Sequence, residues 1–192
     1  MNTTKKGDKF EDLVYIKIEA LLKNRELGLD PDACTIYQKK GYYSALREKD
    51  IIVDISIEVF RKGSSEPIMI WVIECKDYGD TISVNEVEEF DTKMTQITGL
   101  NTKAIIVSSN AFQRGTLTFA RNRHIALVRL LPDNQVTWYS NFDGMPQYPE
   151  ALNPKLFEDA LTIENFQSEG RNFYAFGNRK IFADWIALFR HF

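Results

Sequence analysis

The sequence predicts an α/β domain: a mixed central sheet flanked by helices, followed by an aromatic-rich C-terminal extension. Three observations lead there. Apolar residues recur at helical spacing at the start of the chain and at two-residue spacing over 51–60. A capping signature at Ser83 and Glu86 opens a second helix. Strand-like and helix-like segments then alternate as far as residue 131.

The first element is a helix over roughly 8–24, because Phe10, Leu13, Val14, Ile18, Leu21 and Leu22 fall at three- and four-residue steps and form one apolar stripe. Glu11 lies beside that stripe. The segment GLDPDA punctuates the chain with Gly28 and Pro31, and a short strand is expected over 35–43. From 51 to 60 the residues alternate: Ile51, Val53, Ile55, Ile57 and Val59 are expected on one face, Asp54, Ser56 and Glu58 on the other. RKGSSEP reads as a hairpin connection and 68–76 as the returning strand, with Ile70, Val72, Glu74 and Lys76 on a shared face. The capped helix carries Val84, Val87, Phe90, Met94 and Ile97, and Gly99 is placed to end it. Segments 103–108, 113–122 and 125–131 read as strand, helix and strand, a unit that favours parallel pairing.

Residues 1–131 are expected to form one domain and 132–192 an extension. Of 24 aromatic residues, 13 fall in that extension, so it either completes the core or supplies a homodimer interface. Hydrophobic residues make up 44% and charged residues 27%, which excludes a disordered or fibrous chain. The longest apolar run, Ile68 to Ile73, is far too short to span a membrane, and the polar start MNTTKKGDKF lacks an export signal. Cys34 and Cys75 are too few for a disulfide scaffold and are read as reduced, so a cytoplasmic location is expected. Net charge is −3, so a nucleic-acid partner would need a local basic patch; Arg114, Arg121, Arg123 and Arg129 form an acid-free candidate.

The chemistry concentrates on the hairpin. Glu74 and Lys76 are two residues apart on a strand and leave the same face, with Cys75 on the other. If the hairpin turns symmetrically about Ser64, Arg61 faces Pro67 and Asp54 faces Glu74. Cross-strand neighbours lie about 5 Å apart, so the two carboxylates repel unless a cation separates them. A hard divalent ion takes oxygen ligands and suits such a pair. Asp50, on the same strand face as Asp54, is the alternative ligand if the strands are shifted, and two solvated acids beside a lysine remain the plain structural reading.

Phe10-Glu11, Ile52-Val53-Asp54, the strand Trp71 to Asp77, and Ile105 to Ser109 followed by Ala111-Phe112-Gln113-Arg114-Gly115 resemble the PD-(D/E)XK nuclease superfamily, most closely its Mrr-type restriction endonuclease domains. The resemblance spans roughly residues 7–131 and implies the restriction-endonuclease-like αβββαβ core. It implies a metal-dependent DNA endonuclease, at work in restriction or mobile-element defence. Asp54 and Glu74 would bind Mg²⁺ or Mn²⁺, Lys76 would serve the attacking water, and Glu11 would be an auxiliary acid. Lys93, Gln96 and Arg114 would be phosphate or metal-shell contacts. Val53 stands where the pattern has proline. The alternative function is a non-catalytic nucleic-acid-binding or assembly module on the same scaffold.

Overall fold

A computed structural model describes residues 3–77, 79–97, 101–138 and 152–192. Helix α1 (Thr3–Lys23) begins earlier than its apolar stripe and buries Val14, Ile18, Leu21 and Leu22. Leu13, expected in the stripe, points to solvent at 67% exposure, whereas Glu11 beside it is buried. Strands β1 (Cys34–Ser44), β2 (Lys49–Phe60) and β3 (Pro67–Lys76) come next, and helix α2 (Val84–Gln96) begins at the capping box, with Glu86 accepting from the Ser83 backbone. Gly99 lies outside the described residues. Strand β4 (Asn101–Ser108) completes the expected αβββαβ order, and helix α3 (Arg114–Arg123) and strand β5 (Ile125–Leu130) follow it as expected.

The remaining elements are β6 (Val136–Thr137), α4 (Pro154–Thr162), β7 (Ser168–Glu169), β8 (Phe173–Gly177), β9 (Lys180–Phe182) and α5 (Trp185–His191). They do not stand apart. The central sheet runs β1-β2-β3-β4-β5-β8-β9, so the C-terminal segment extends it by two strands, while β6 and β7 make a separate pair. Strands β3, β4 and β5 are parallel, and the other neighbours in the central sheet are antiparallel.

Helices cover both faces, as a sheet with apolar residues on both sides requires. Ile70, Val72, Ile106 and Leu127 pack with Val87, Phe90, Leu117 and Phe157 from α2, α3 and α4. Trp71, Ile73, Ile105 and Val128 pack with Val14, Ile18, Leu188 and Phe189 from α1 and α5. The aromatic rings that composition offered to a partner surface mostly face inward: Phe189 stacks on Trp71 at 4.5 Å, Phe173 meets Trp185, and Phe157 meets Tyr174. Trp138, 56% exposed, does not. No helix among the described residues is long and apolar enough to cross a membrane.

The sheet departs from simple alternation in two places. The β2–β3 hairpin is bulged between Val59 and Phe60, so Phe60, not Arg61, faces Pro67, a residue with no N–H for the ladder. From Val59↔Met69 to Ile55↔Ile73, however, the register is the symmetric one. Second, β2 changes sides at Asp54. Ile55 and Ile57 pack towards α1, but Ile51 and Val53 join the α2 side together with Tyr42, so the five apolar residues expected on one face are divided between two. The change coincides with Lys39 of β1, whose φ of 53 is left-handed, and the β1–β2 ladder skips it between Gln38↔Ile55 and Lys40↔Val53. The register is the same on both sides of this point, so Lys39 and Asp54 lie opposite each other as an unpaired step at which both strands change facing.

Candidate active site

The site is built where β2 and β3 stop pairing. Ile55↔Ile73 is the last rung, and one step further along the same register lie Asp54 and Glu74. In place of the next backbone bond, the Asp54 side chain takes the ladder role: its Oδ2 accepts the backbone N–H of Cys75 at 2.8 Å. Asp54 is thereby pinned to the residue between Glu74 and Lys76. Beyond this point β3 continues only with β4, through Glu74↔Ile106, Cys75↔Val107 and Lys76↔Ser108. Asp50 sits at the other end of β2, opposite Tyr43, with its carboxylate over Gly41, where a Cβ would come within 2.8 Å of Oδ2. Of the two acids, Asp54 and not Asp50 is the one docked on β3.

Two groups of charges meet the pinned segment. On the α1 side, Lys39 Nζ bridges Asp54 Oδ1, at 2.6 Å, and Glu11 Oε2, while Gln38 Nε2 donates to Glu11 Oε1 at 3.0 Å and to Asp12 at 2.8 Å. On the α2 side, Glu74 Oε1 receives Lys76 Nζ at 3.1 Å and Lys93 Nζ at 3.2 Å. The first group joins two carboxylates through one ammonium, the second gives one carboxylate two ammonium groups, and Glu11 and Glu74 are 4% and 6% exposed. Acids this deep require such partners, because a buried charge without one is costly.

Burial raises the Glu11 carboxyl above its ordinary value and the Asp54 charge adds to this, while hydrogen bonds from Lys39 and Gln38 work against it. Burial also opposes the Lys39 charge, but the Asp54 and Glu11 carboxylates more than compensate and hold its ammonium above the ordinary lysine value. The Cys75 thiol is pushed well up, first by burial and then by Asp54, Glu11 and Glu74, so all three acids act on one point of β3. That common influence is electrostatic; among the described residues no three His, Cys, Asp or Glu side chains are grouped so as to hold a metal ion by themselves.

The other sequence candidates are distributed unevenly. Lys93 reaches the site through Glu74. Gln96 does not: its Oε1 accepts from Ser44 Oγ at 3.0 Å and Arg47 Nε at 2.8 Å, tying α2 to the β1–β2 turn. Arg114 is exposed at the first turn of α3. The acid-free arginine patch is divided, because Arg129 points into the core and donates to Ala160 O and Ile163 O at 2.6 Å and Glu164 O at 2.7 Å, capping the end of α4. Arg123 pairs with Asp91 at 2.8 Å. Sequence reading missed Gln38 and Lys39; the one signal for them was three successive polar residues, Gln38-Lys39-Lys40, interrupting a strand. A cavity of about 870 Å³ lies elsewhere, between α3, α4 and the β8–β9 hairpin. A phosphodiester backbone is contacted along a surface and needs no enclosing pocket.

Carboxylate oxygens from two strands beside a lysine can bind a hard cation and orient a water near a phosphate. Residues 33–132, just over half of the chain, match a family model described as restriction endonuclease, of the Mrr catalytic type. The match runs from the start of β1 to the residues after β5 and contains Asp54, Glu74 and Lys76, while Glu11 lies outside it. No curated protein and no solved structure matches the chain. Its mixed seven-stranded sheet has the restriction-endonuclease-like order. The chain belongs to the Mrr-type restriction endonuclease family, a nuclease family with the PD-(D/E)XK type of catalytic domain.

Proposed function

We propose that the protein is a divalent-metal-dependent DNA endonuclease whose working residues are Asp54, Glu74 and Lys76, with Glu11 as an auxiliary acid. The observation that carries the reading is the 2.8 Å bond from the Cys75 N–H to Asp54, which docks the acid of β2 on the strand that carries Glu74 and Lys76. The donor set fits a hard ion: every candidate ligand is a carboxylate oxygen, and ammonium groups lie on those oxygens where positive charge is wanted. Asp54 and Glu74 would hold Mg²⁺ or Mn²⁺, which when bound polarises a phosphodiester and lowers the pKa of a coordinated water.

The chain's own residues supply the rest. Lys76, with its side chain 12% exposed beside Glu74, orients the attacking water and offsets charge that develops on the phosphate. Lys93 holds Glu74 in place from α2. Glu11 stands behind Lys39 as a reserve carboxylate for the same end of the site. Arg114, exposed at the start of α3, contacts the DNA backbone. Two free thiols agree with a role in the reducing cytoplasm, where restriction or defence against mobile elements takes place.

The test is incubation of supercoiled plasmid with Mg²⁺ or Mn²⁺ and the wild type, Asp54→Asn, Glu74→Gln and Lys76→Met. Nicking by the wild type and its loss in all three variants is the expected result. Cleavage that survives all three changes refutes the assignment. DNA binding without cleavage, equal in all four proteins, favours the non-catalytic module, a reading to which the internal pairing of every site carboxylate lends weight.

A further inference from the structure

The geometry points to Lys39 as a built-in cation that occupies the Asp54–Glu11 end of the site and is displaced when a divalent ion enters. This inference rests on the metal-dependent reading of the site. Lys39 is the residue across from Asp54, yet it is no ladder partner, and its left-handed φ of 53 falls in the middle of an otherwise regular strand. A lysine gains nothing intrinsically from that backbone conformation, which is strained for any residue with a Cβ. What the conformation produces is divergence of neighbours: Gln38 and Lys39 turn to the α1 acids, whereas Lys40 goes to Glu58 at 2.6 Å.

The consequence is competition for the same lone pairs. Asp54 Oδ2 is committed to the Cys75 N–H, which leaves Oδ1 as the atom a metal would use, and Lys39 Nζ lies 2.6 Å from it. Both cannot occupy Oδ1 along the same approach. The Lys39 side chain is 51% exposed and has a four-carbon stem, so it can swing into solvent, unlike Lys76 and Lys93 at 12% and 18%. Its departure would also release Glu11, whose Oε2 it covers. Ion entry and Lys39 release are then two sides of one exchange, and each must weaken the other by the same factor.

The measurement is Mn²⁺ binding followed by calorimetry and by thermal melting, in wild type, Lys39→Met, Lys40→Met and Asp54→Asn. Methionine keeps the stem and the backbone strain but removes the ammonium. Lys39→Met is expected to bind Mn²⁺ about fivefold more tightly, the scale of one half-exposed ion pair. It should melt below the wild type in EDTA, and the gap should close at saturating Mn²⁺. Lys40→Met, which removes an equal charge from Glu58 instead, should stay within about twofold of wild-type affinity. An Mn²⁺ affinity of Lys39→Met equal to or weaker than wild type, or a melting gap that persists at saturation, overturns the displacement. If wild type responds to Mn²⁺ and Asp54→Asn does not, such a result removes this inference alone. If wild type itself shows no response, the metal reading fails and takes this inference with it. Lys39→Gln serves for the same measurements should the methionine variant not fold.

Discussion

Replacing Asp54 by alanine and by asparagine separates what that carboxylate does for the fold from what it does for chemistry. Alanine removes the acceptor of the Cys75 N–H, leaving a partly buried donor unpaired at the end of the β2–β3 ladder. Loss of an acceptor with charge contributes about 1.5–3 kcal/mol. The Lys39 contact adds little, about 0–1 kcal/mol, because that side chain is half exposed and screened. A total of about 1.5–4 kcal/mol corresponds to a fall of roughly 3–16 °C in Tm for a chain of this size. Asparagine retains an amide oxygen for the same N–H, so Asp54→Asn should lose about 1 kcal/mol or less while losing the Mn²⁺-induced rise in Tm. Differential scanning fluorimetry in EDTA and in Mn²⁺ reads all of this. An alanine variant that melts with the wild type refutes the docking of Asp54 on β3, and an asparagine variant that keeps the full Mn²⁺ response refutes its role as a ligand.

The same packing has consequences at other positions. Arg129→Met should cost about 3–5 kcal/mol in a urea titration, because the Ala160, Ile163 and Glu164 carbonyls lose a buried charged donor at once; wild-type stability would contradict the α4 cap. Gln96→Leu should lower stability by about 1–2 kcal/mol through the lost Ser44 and Arg47 contacts, yet leave plasmid cleavage intact at a temperature where it is folded, which kinetics at 25 °C can check. Burial raises the Cys34 thiol from 9.0 to about 11. An acid with a raised folded-state pKa holds its proton after the unfolded chain has released its own, so this group's contribution to stability falls as pH rises from 9.0 to about 11. Denaturant melts across that interval should show a shallower decline in Cys34→Ala.

What could be read from the sequence was what is fixed locally. Ser83 and Glu86 contact each other within one helical turn, so three residues suffice to place the start of α2. Hairpin arithmetic gave the right rungs from Val59↔Met69 to Ile55↔Ile73 because the bulge between Val59 and Phe60 lies on the turn side of them. At Arg61, on the other side of the bulge, it was wrong for the same reason, and Asp54 lies one step past the last rung. Gln96 and Arg129 were misplaced for the opposite reason. Their partners lie 52 residues away, at Ser44, and 31 residues away, at Ala160, and no periodicity reports such distances.

Lys39 is the instructive omission. Strand alternation assigns side chains to faces only while every residue keeps extended dihedrals, and at the level of the left-handed Lys39 the two strands turn Tyr42, Ile51 and Val53 to the face opposite the one Ile55 and Ile57 occupy. Glycine or asparagine at position 39 would have advertised the irregularity, since those residues tolerate positive φ; lysine conceals it. Strain of this kind persists where surrounding contacts over-determine it, and here those contacts are the acids of the candidate site, Glu11 and Asp54. Glu74 and Lys76 were thus legible together because an extended strand places them, and the counter-charge of Glu11 and Asp54 was not, because an exception to extended geometry delivers it. The prediction for Lys39→Met bears on this directly: a residue kept strained only to balance two carboxylates should become dispensable once a metal ion balances them instead.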